Sequence, residues 1–597
     1  MTNEVLGRDA HWFDGDGMLS GVLFRRRNEE SIQPEFVNQY ILTDVYVASI
    51  SSSYLKIPIL PSIATLVNPM SSLFTILFRI LRTIILVILS HLPGSCQPIR
   101  KISVANTAVV YHNQRALATC ESGPPMRIAL PGLETIGWFN GHQSENEEQC
   151  PKTHGFGGTG LSSFLKEFTT AHPRVDPNTQ ELLLYHSTFV PPYVHYSIVP
   201  PSTRSNNEKQ HWHVQNTFLN RVVPGVKSAK LMHDFGVTRT HTIIMDLPLS
   251  LDPLNLTRNR PPVTYDPSKA SRFGIFPRYN PERVVWFETD ACCIFHTANS
   301  WDSKPTKLEH TASGAKPVNM LACRLTSASL VFSAGDIAAP TPIPSVRLKP
   351  QEEEQCRLYF YQFVVGDSPE TSHIAHQWAL SAIPFEFPSL RDSVSMSPAK
   401  YVYGCSVSDS SFGAALGRAV KINAIVKVNV ETLVERGKLN PPEQIRGCVD
   451  LRSVREVLES TEVDDPIRIF KMPEGWYAQE SRFVPREDGV SEDDGWVLSY
   501  VFDESQLDED GECRPDAKSE LWIIDAKNMK DIVARVYLPQ RVPYGLHGNW
   551  FTEAQVSGQR PYEQIRKMPS TTRTSERSFL GWSLWMATRH AIESLVG

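Results

Sequence analysis

The chain carries little charge of either sign and no surplus of the positive one. Asp, Glu, Lys and Arg make up 21 % of its 597 residues, and the formal net charge is −6. Without a basic face nothing neutralises a phosphate backbone, which argues against a nucleic-acid partner. The ten cysteines form no CxxC pair and no regular framework, so a disulfide-built secreted domain is excluded. The first twenty residues, with Asp9, Asp14 and Asp16, lack the apolar run of a secretory signal. A reducing, intracellular environment is expected, and the sequon at Asn255 is read as a chance match. No short repeat recurs, and no pair of histidines stands four apart on a helical pattern.

What is present is enough apolar material for a large core, 41 % of the residues. Strand-like runs at 103–112, 181–190, 241–249, 283–296, 323–334 and 496–504 are separated by turns rich in Pro, Gly and Asp. Helical patterns are few, at 430–436 and 451–459. Many short strands at steady intervals predict an all-β sandwich, barrel or propeller, and the length favours a propeller occupying 1–597 as one domain. Residues 11–24 are expected to form a hairpin around Asp14, Gly15, Asp16 and Gly17, with a further strand over 36–48. Polar stretches at 202–210, 303–316 and 507–517 read as loops.

Acids are missing from 57–93, where the segment 73–89 is apolar apart from Thr75, Arg79, Thr83 and Arg82. Two arginines in mid-run count against a membrane-spanning helix. The pattern suits a helix lying in the membrane interface, with Leu73, Phe74, Leu77, Ile80 and Ile84 toward the acyl chains and Arg79 and Arg82 reaching headgroups. A buried core helix is the alternative.

Four histidines stand beside strand-like runs and turns: His172, His233, His296 and His547. They are too far apart in sequence for one helix, and converge only if their strands point to one axis, as propeller blades do. Gly545 and Gly548 flank His547 and are expected to admit close approach of main chain. Taken alone, His547 is better explained as an ordinary buried, hydrogen-bonded side chain than as a ligand. His154, His186, His195, His211, His213 and His241 lack matching acid or cysteine spacing and read as packing or surface residues. Phe156, Tyr193, Tyr196, Trp301 and Trp550 are candidates to line a tunnel, or to fill the core.

The motifs HWFDGDGML, CESGPP, TAHPRVDP, MHDFG, FHTAN, FEFPSL, ESRFVP and PYGLHGNW, in this order along almost the whole chain, resemble the carotenoid cleavage oxygenase family. DFG alone is also a kinase motif, but no glycine-rich loop or HRD element accompanies it. The resemblance implies a seven-bladed β-propeller with one non-haem Fe(II) on its axis, held by His172, His233, His296 and His547. It implies further that Glu121, Glu386 and Glu480 accept the outer N–H of bound histidines. Imidazole suits Fe(II), and four neutral ligands leave up to two octahedral positions for dioxygen and solvent. Ser20 departs from the family pattern, which has histidine there.

The implied activity is an Fe(II)- and O2-dependent dioxygenase that cleaves one conjugated C=C bond of a carotenoid or apocarotenoid to aldehydes, with no side chain acting as acid or base. SIATLVNP, ISVANTAVVYH and VPPYVHYSIVP are most similar to fungal members of the torulene-cleaving type. Retinal-forming or stilbene-cleaving oxygenases, and a metal-free propeller scaffold, are the alternatives. Peripheral membrane association is expected, and the oligomeric state is left open.

Overall fold

Each apolar run pairs with the run that follows it, because short turns bring consecutive strands together at low entropic cost. The computed structural model describes residues 11–28, 31–51, 63–67, 73–91, 99–147, 154–159, 163–201, 218–258, 260–304, 316–334, 355–366, 368–408 and 421–568. Within them the chain is an all-β propeller with few helices. Six sheets of four or five strands follow one another, beginning at Ala108–His112, Arg174–Val175, Gly236–Val237, Cys293–Asp302, Glu386–Ser389 and Trp476–Ala478. Seven blades were expected and six are found. Among the described residues, the seam between the last and the first holds a two-stranded hairpin, Met18–Arg26 with Ile32–Tyr40. Its Leu19 and Val37 pack on the first blade, and its Val22, Phe24 and Phe36 on the sixth.

The blades are interlocked as well as adjacent. The connection between the third and fourth strands of the fifth blade sends out Cys448–Asp450, which pairs in parallel with His373–Ser381 on the outer edge of the fourth. That edge would otherwise present unpaired N–H and C=O groups. Across the seam His547 N–H donates to the Thr107 carbonyl at 3.1 Å. A C-terminal strap then crosses the first blade: Tyr111 Oη donates to the Gln555 carbonyl, Arg560 reaches Asn113, and Arg566 meets Asp44 at 2.6 Å.

Several local expectations change. The Asp14–Gly17 turn precedes the hairpin rather than joining its strands, and the Asp14 carboxylate accepts the Ile63 N–H at 2.9 Å. Residues 44–48 are helical within Asp44–Ser51, where Asp44 stands in the first turn. The run 323–334 ends its strand at Leu325 and coils into Ser329–Ser333, since a short apolar run fits either state. None of the eight described cysteines is in a disulfide. Asn255 is buried in a 3-10 turn with Nδ2 on Thr264. His211 and His213, with the polar stretch 202–210 and most of 303–316, lie outside the described residues.

Of the segment 57–93, the described part includes the helix Leu73–Ser90. Thr83 and Ser90 return their hydroxyls to the Arg79 and Leu86 carbonyls, so they enter the helix interior without stranded donors. Leu86 and Val87 pack with Phe164 and Phe168. On the other side Phe74 (87 % exposed), Leu77, Phe78, Leu81 and Ile88 make an uncovered apolar stripe at helical spacing. The face therefore differs from the one expected: Arg82 is buried, and Ile80 and Ile84 are half-buried. No helix among the described residues is long and apolar enough to cross a membrane.

His186 is fully buried in the second blade, against Phe156 and 2.7 Å from Ser197 Oγ. Burial pushes its pKa down to about 3, and does the same to His112. The unfolded chain protonates such a group near 6.5 and the folded chain does not, so stability falls as pH drops from 6.5 toward 3. Each group contributes a slope of about 1.4 kcal/mol per pH unit in that window. A His186→Asn variant is expected to lose one such increment, measured as the pH dependence of urea unfolding; an unchanged slope contradicts the assignment.

Candidate metal centre

The first strands of the second to sixth blades share one habit: each carries a residue of the centre at or beside it. His172 precedes Arg174–Val175, His233 precedes Gly236–Val237, and His296 lies within Cys293–Asp302. Glu386 opens Glu386–Ser389. In the sixth blade Trp476–Ala478 and Arg482–Pro485 both pair with Gly495–Asp503, and Glu480 leaves from the break between them. His547 arrives after the last blade, and Glu121 follows Arg115–Thr119 of the first.

The four imidazoles meet. One ring nitrogen from each of His172, His233, His296 and His547 lies within 4.8 Å of all the others. Nε2 of His233 stands 3.0 Å from that of His172 and 3.2 Å from that of His296, which is 3.1 Å from that of His547. Imidazole nitrogens about 2.1 Å from one cation and at right angles would stand about 3.0 Å apart, so this donor set fits a single divalent metal. Four neutral nitrogens suit a first-row transition metal, whereas calcium or magnesium would call for oxygen.

Three of the rings turn their Nδ1–H outward to a carboxylate. His233 donates to Glu121, His296 to Glu386 at 2.5 Å, and His547 to Glu480 at 2.8 Å. This fixes the tautomer that leaves each Nε2 lone pair facing the common point. The pairs differ electrically. Burial disfavours the proton on His233, yet the Glu121 charge outweighs it and raises the pKa, while Glu121 is lowered in return. Burial pushes Glu386 up to about 8 and holds His296 well below its usual range. Glu386 Oε1 is buried with no hydrogen-bond partner, which explains that rise. His172 is held low by burial and then by its three neighbouring imidazoles. A divalent charge at the common point would favour the ionised carboxylates.

Other residues of the centre escaped the sequence reading. Thr170 accepts the His172 N–H at 3.0 Å and donates to the His233 carbonyl at 2.9 Å. Gln479 grips the turn before His547, donating to the Pro543 carbonyl and accepting from Gly545 N–H. Gly548 donates to Glu480 Oε2, and a Cβ there would meet nothing within 4 Å. Neither Gly545 nor Gly548 is left-handed, and the close approach expected of them is found at Gly545 alone, where a Cβ would stand 3.3 Å from Gln479 Oε1. The aromatic walls are Phe295 against His233, and Phe387 against His296 and His547. Phe387 holds a φ of 52°, costly for a bulky residue, and its N–H is fixed on Glu386. Both were legible as neighbours of His296 and Glu386. Phe156, Tyr196 and Trp301 pack in blade interiors instead.

Residues 3–552 match the family model described as retinal pigment epithelial membrane protein. The chain is 51 % identical to carotenoid dioxygenase carX of Gibberella fujikuroi, over 100 % of this chain and 90 % of that one. It is 29 % identical to carotenoid 9,10(9',10')-cleavage dioxygenase 1 of Arabidopsis thaliana, over 92 % and 82 %. Among solved structures, Pseudomonas brassicacearum lignostilbene dioxygenase superposes with a TM-score of 0.57 at 19 % identity, covering 91 % of this chain and 88 % of that one. Cobalt-substituted Synechocystis ACO gives 0.54 at 18 %, with the same coverage. These two likenesses bear on the fold.

Replacing Glu386 by Met, of similar volume, removes the Oε2 that accepts from both His296 Nδ1–H and Phe387 N–H. Divalent-metal affinity is expected to fall about 10–100-fold, measured by anaerobic titration of the apo protein with Fe(II). Native affinity in the variant would remove Glu386 from the centre.

Proposed function

The chain belongs to the retinal pigment epithelial membrane protein family of carotenoid oxygenases and is a carotenoid cleavage dioxygenase, and from that membership we propose how its centre works. One Fe(II) is held per chain by His172, His233, His296 and His547, with Glu121, Glu386 and Glu480 as the acids behind three of them. The observation that carries this is the convergence of the four ring nitrogens, with three outer nitrogens on carboxylates. Bound there, Fe(II) would supply dioxygen binding and activation beside an alkene.

The substrate proposed is a long, apolar carotenoid, torulene and then β-carotene being the first to assay. One conjugated C=C bond is cleaved and two aldehydes leave. The polypeptide's part is positional. The carboxylates keep each imidazole in the tautomer that points Nε2 inward, and Phe295 and Phe387 exclude water from two sides of the rings. No side chain is assigned a proton transfer to substrate. The scissile bond is selected by how far the polyene enters before its end meets a wall.

The whole chain is read as one propeller unit, with 57–93 as its membrane-interacting insert. Support comes from the uncovered stripe of Phe74, Leu77, Phe78 and Leu81 on Leu73–Ser90, whose inner face packs on Phe164 and Phe168, a few residues before His172. A carotenoid leaving a bilayer at this stripe would avoid transfer through water. Full burial of each such side chain is worth about 1.5–3 kcal/mol.

Three outcomes test the reading. Purified protein reconstituted anaerobically with Fe(II) is expected to retain one iron per chain and to convert torulene or β-carotene, but not resveratrol, to aldehydes identified by mass. Failure to hold iron contradicts it, and cleavage of resveratrol alone reassigns the substrate. His233→Ala and His547→Ala are each expected to abolish turnover. Serine at Phe74, Leu77, Phe78 and Leu81 together is expected to weaken liposome binding by on the order of 10,000-fold or more, abolishing co-sedimentation; undiminished binding places the docking surface elsewhere.

A further inference from the structure

The β-ladders hold the histidine-bearing segments poorly. His172 and His233 each precede a strand of only two residues, Arg174–Val175 and Gly236–Val237. His296 lies where the pairing of Cys293–Asp302 with its neighbour shifts register twice, on either side of Thr297. Regular pairing therefore leaves the relative height of these three imidazoles unfixed, although their Nε2 atoms meet within about a hydrogen bond of one another.

One buried carboxylate spans all three segments. Asp234, next to His233, is 1 % exposed. Its Oδ2 accepts the Thr297 N–H at 2.7 Å and the Arg174 Nη2–H at 2.5 Å, while its Oδ1 accepts the Phe235 N–H at 2.7 Å. The Thr297 hydroxyl lies 3.0 Å from Oδ2 and also from the Phe235 carbonyl. Arg174 continues from the same Nη2 to the Thr297 carbonyl and hydroxyl, at 3.0 and 2.8 Å. Thr297 follows His296 directly, and Arg174 stands two residues after His172. A single carboxylate thus ties the second, third and fourth blades at the points where each delivers its histidine. The Thr297 N–H that the irregular ladder would leave unpaired finds its acceptor here.

We propose that Asp234, with Arg174 as its counter-ion, is the positioning residue that sets the register of His172, His233 and His296. It touches none of the four imidazoles in this network and acts through the backbone. The role rests on the proposed metal centre but is separate from the acids that bond to imidazole. An aspartate suits it because two carboxylate oxygens accept from three directions at once. An amide offers one acceptor oxygen and must turn N–H2 toward either Phe235 N–H or the Thr297 and Arg174 donors.

The test uses the full chain, stripped of metal and titrated with Co(II), whose visible absorption reports ligand geometry. Native protein is expected to bind Co(II) and give a defined spectrum. Asp234→Asn is expected to bind it about 10–100-fold more weakly and to shift the absorption bands. Lys427→Met, which breaks the buried Lys427–Asp493 pair away from the centre, is expected to lower the thermal midpoint and leave affinity and spectrum unchanged. A folded Asp234→Asn protein with native affinity and bands overturns the proposal, as does a Lys427→Met protein that shifts the bands equally. Asp234→Ala is run beside it; should it fail to fold, the isosteric Asn variant decides. If native protein itself fails to bind Co(II), the metal reading falls first and takes this one with it.

Discussion

Four imidazoles bring one ring nitrogen each within 4.8 Å of the others, and the rest of the fold is arranged around that meeting. Neighbouring histidines along the site are separated by 61, 63 and 251 residues. Local structure cannot satisfy such separations. A succession of sheets can, because the starts of successive blades bring residues far apart in sequence to one place. The six large sheets serve less as a container than as spacers between successive histidines and glutamates. Their antiparallel meanders are mostly local in sequence, and the long-range cost is concentrated at the seam, where the hairpin, His547 and the C-terminal strap close the ring.

The centre is also an electrostatic arrangement. Glu121 and His233 favour separated charges, whereas Glu386 and His296 favour a neutral pair because burial outweighs ionisation there. A divalent ion would bring both pairs to the same state, carboxylate behind neutral imidazole, and would draw on negative charge already in place. Around this core the polar contacts are between backbone and side chain: Thr170, Asp234, Gln479 and Glu480 each fix a stretch of main chain that no ladder fixes.

The histidines and their glutamates were legible because ordered motifs carry them in unbroken sequence. The lacing residues were not. Asp234 was in view inside HDFG, but its partners Arg174 and Thr297 come from other blades, and no local spacing reveals such a junction. Blade number was misjudged because the segment at the seam supplies two strands instead of four. The helix Leu73–Ser90 was foreseen, and Phe74 and Leu77 are exposed as expected, but the exposed apolar side continues through Phe78 and Leu81 rather than through Ile80 and Ile84. It is apolar around most of its circumference, so periodicity cannot say which side packs, and Arg82 proved to belong to the packed side. Gly545 and Gly548 suggested crowding, where the structure shows open space at Gly548 and a glutamine's flexible end at Gly545.

The bond from His547 N–H to the Thr107 carbonyl joins the last ligand segment to the edge of the first blade. The contact that closes the seam thus also brings the fourth imidazole to the other three. During synthesis the segments bearing His172, His233 and His296 emerge long before the fourth histidine exists. On the proposed metal reading, metal retention would report on assembly: a chain in which His547 fails to reach the first blade would offer a metal three imidazoles instead of four.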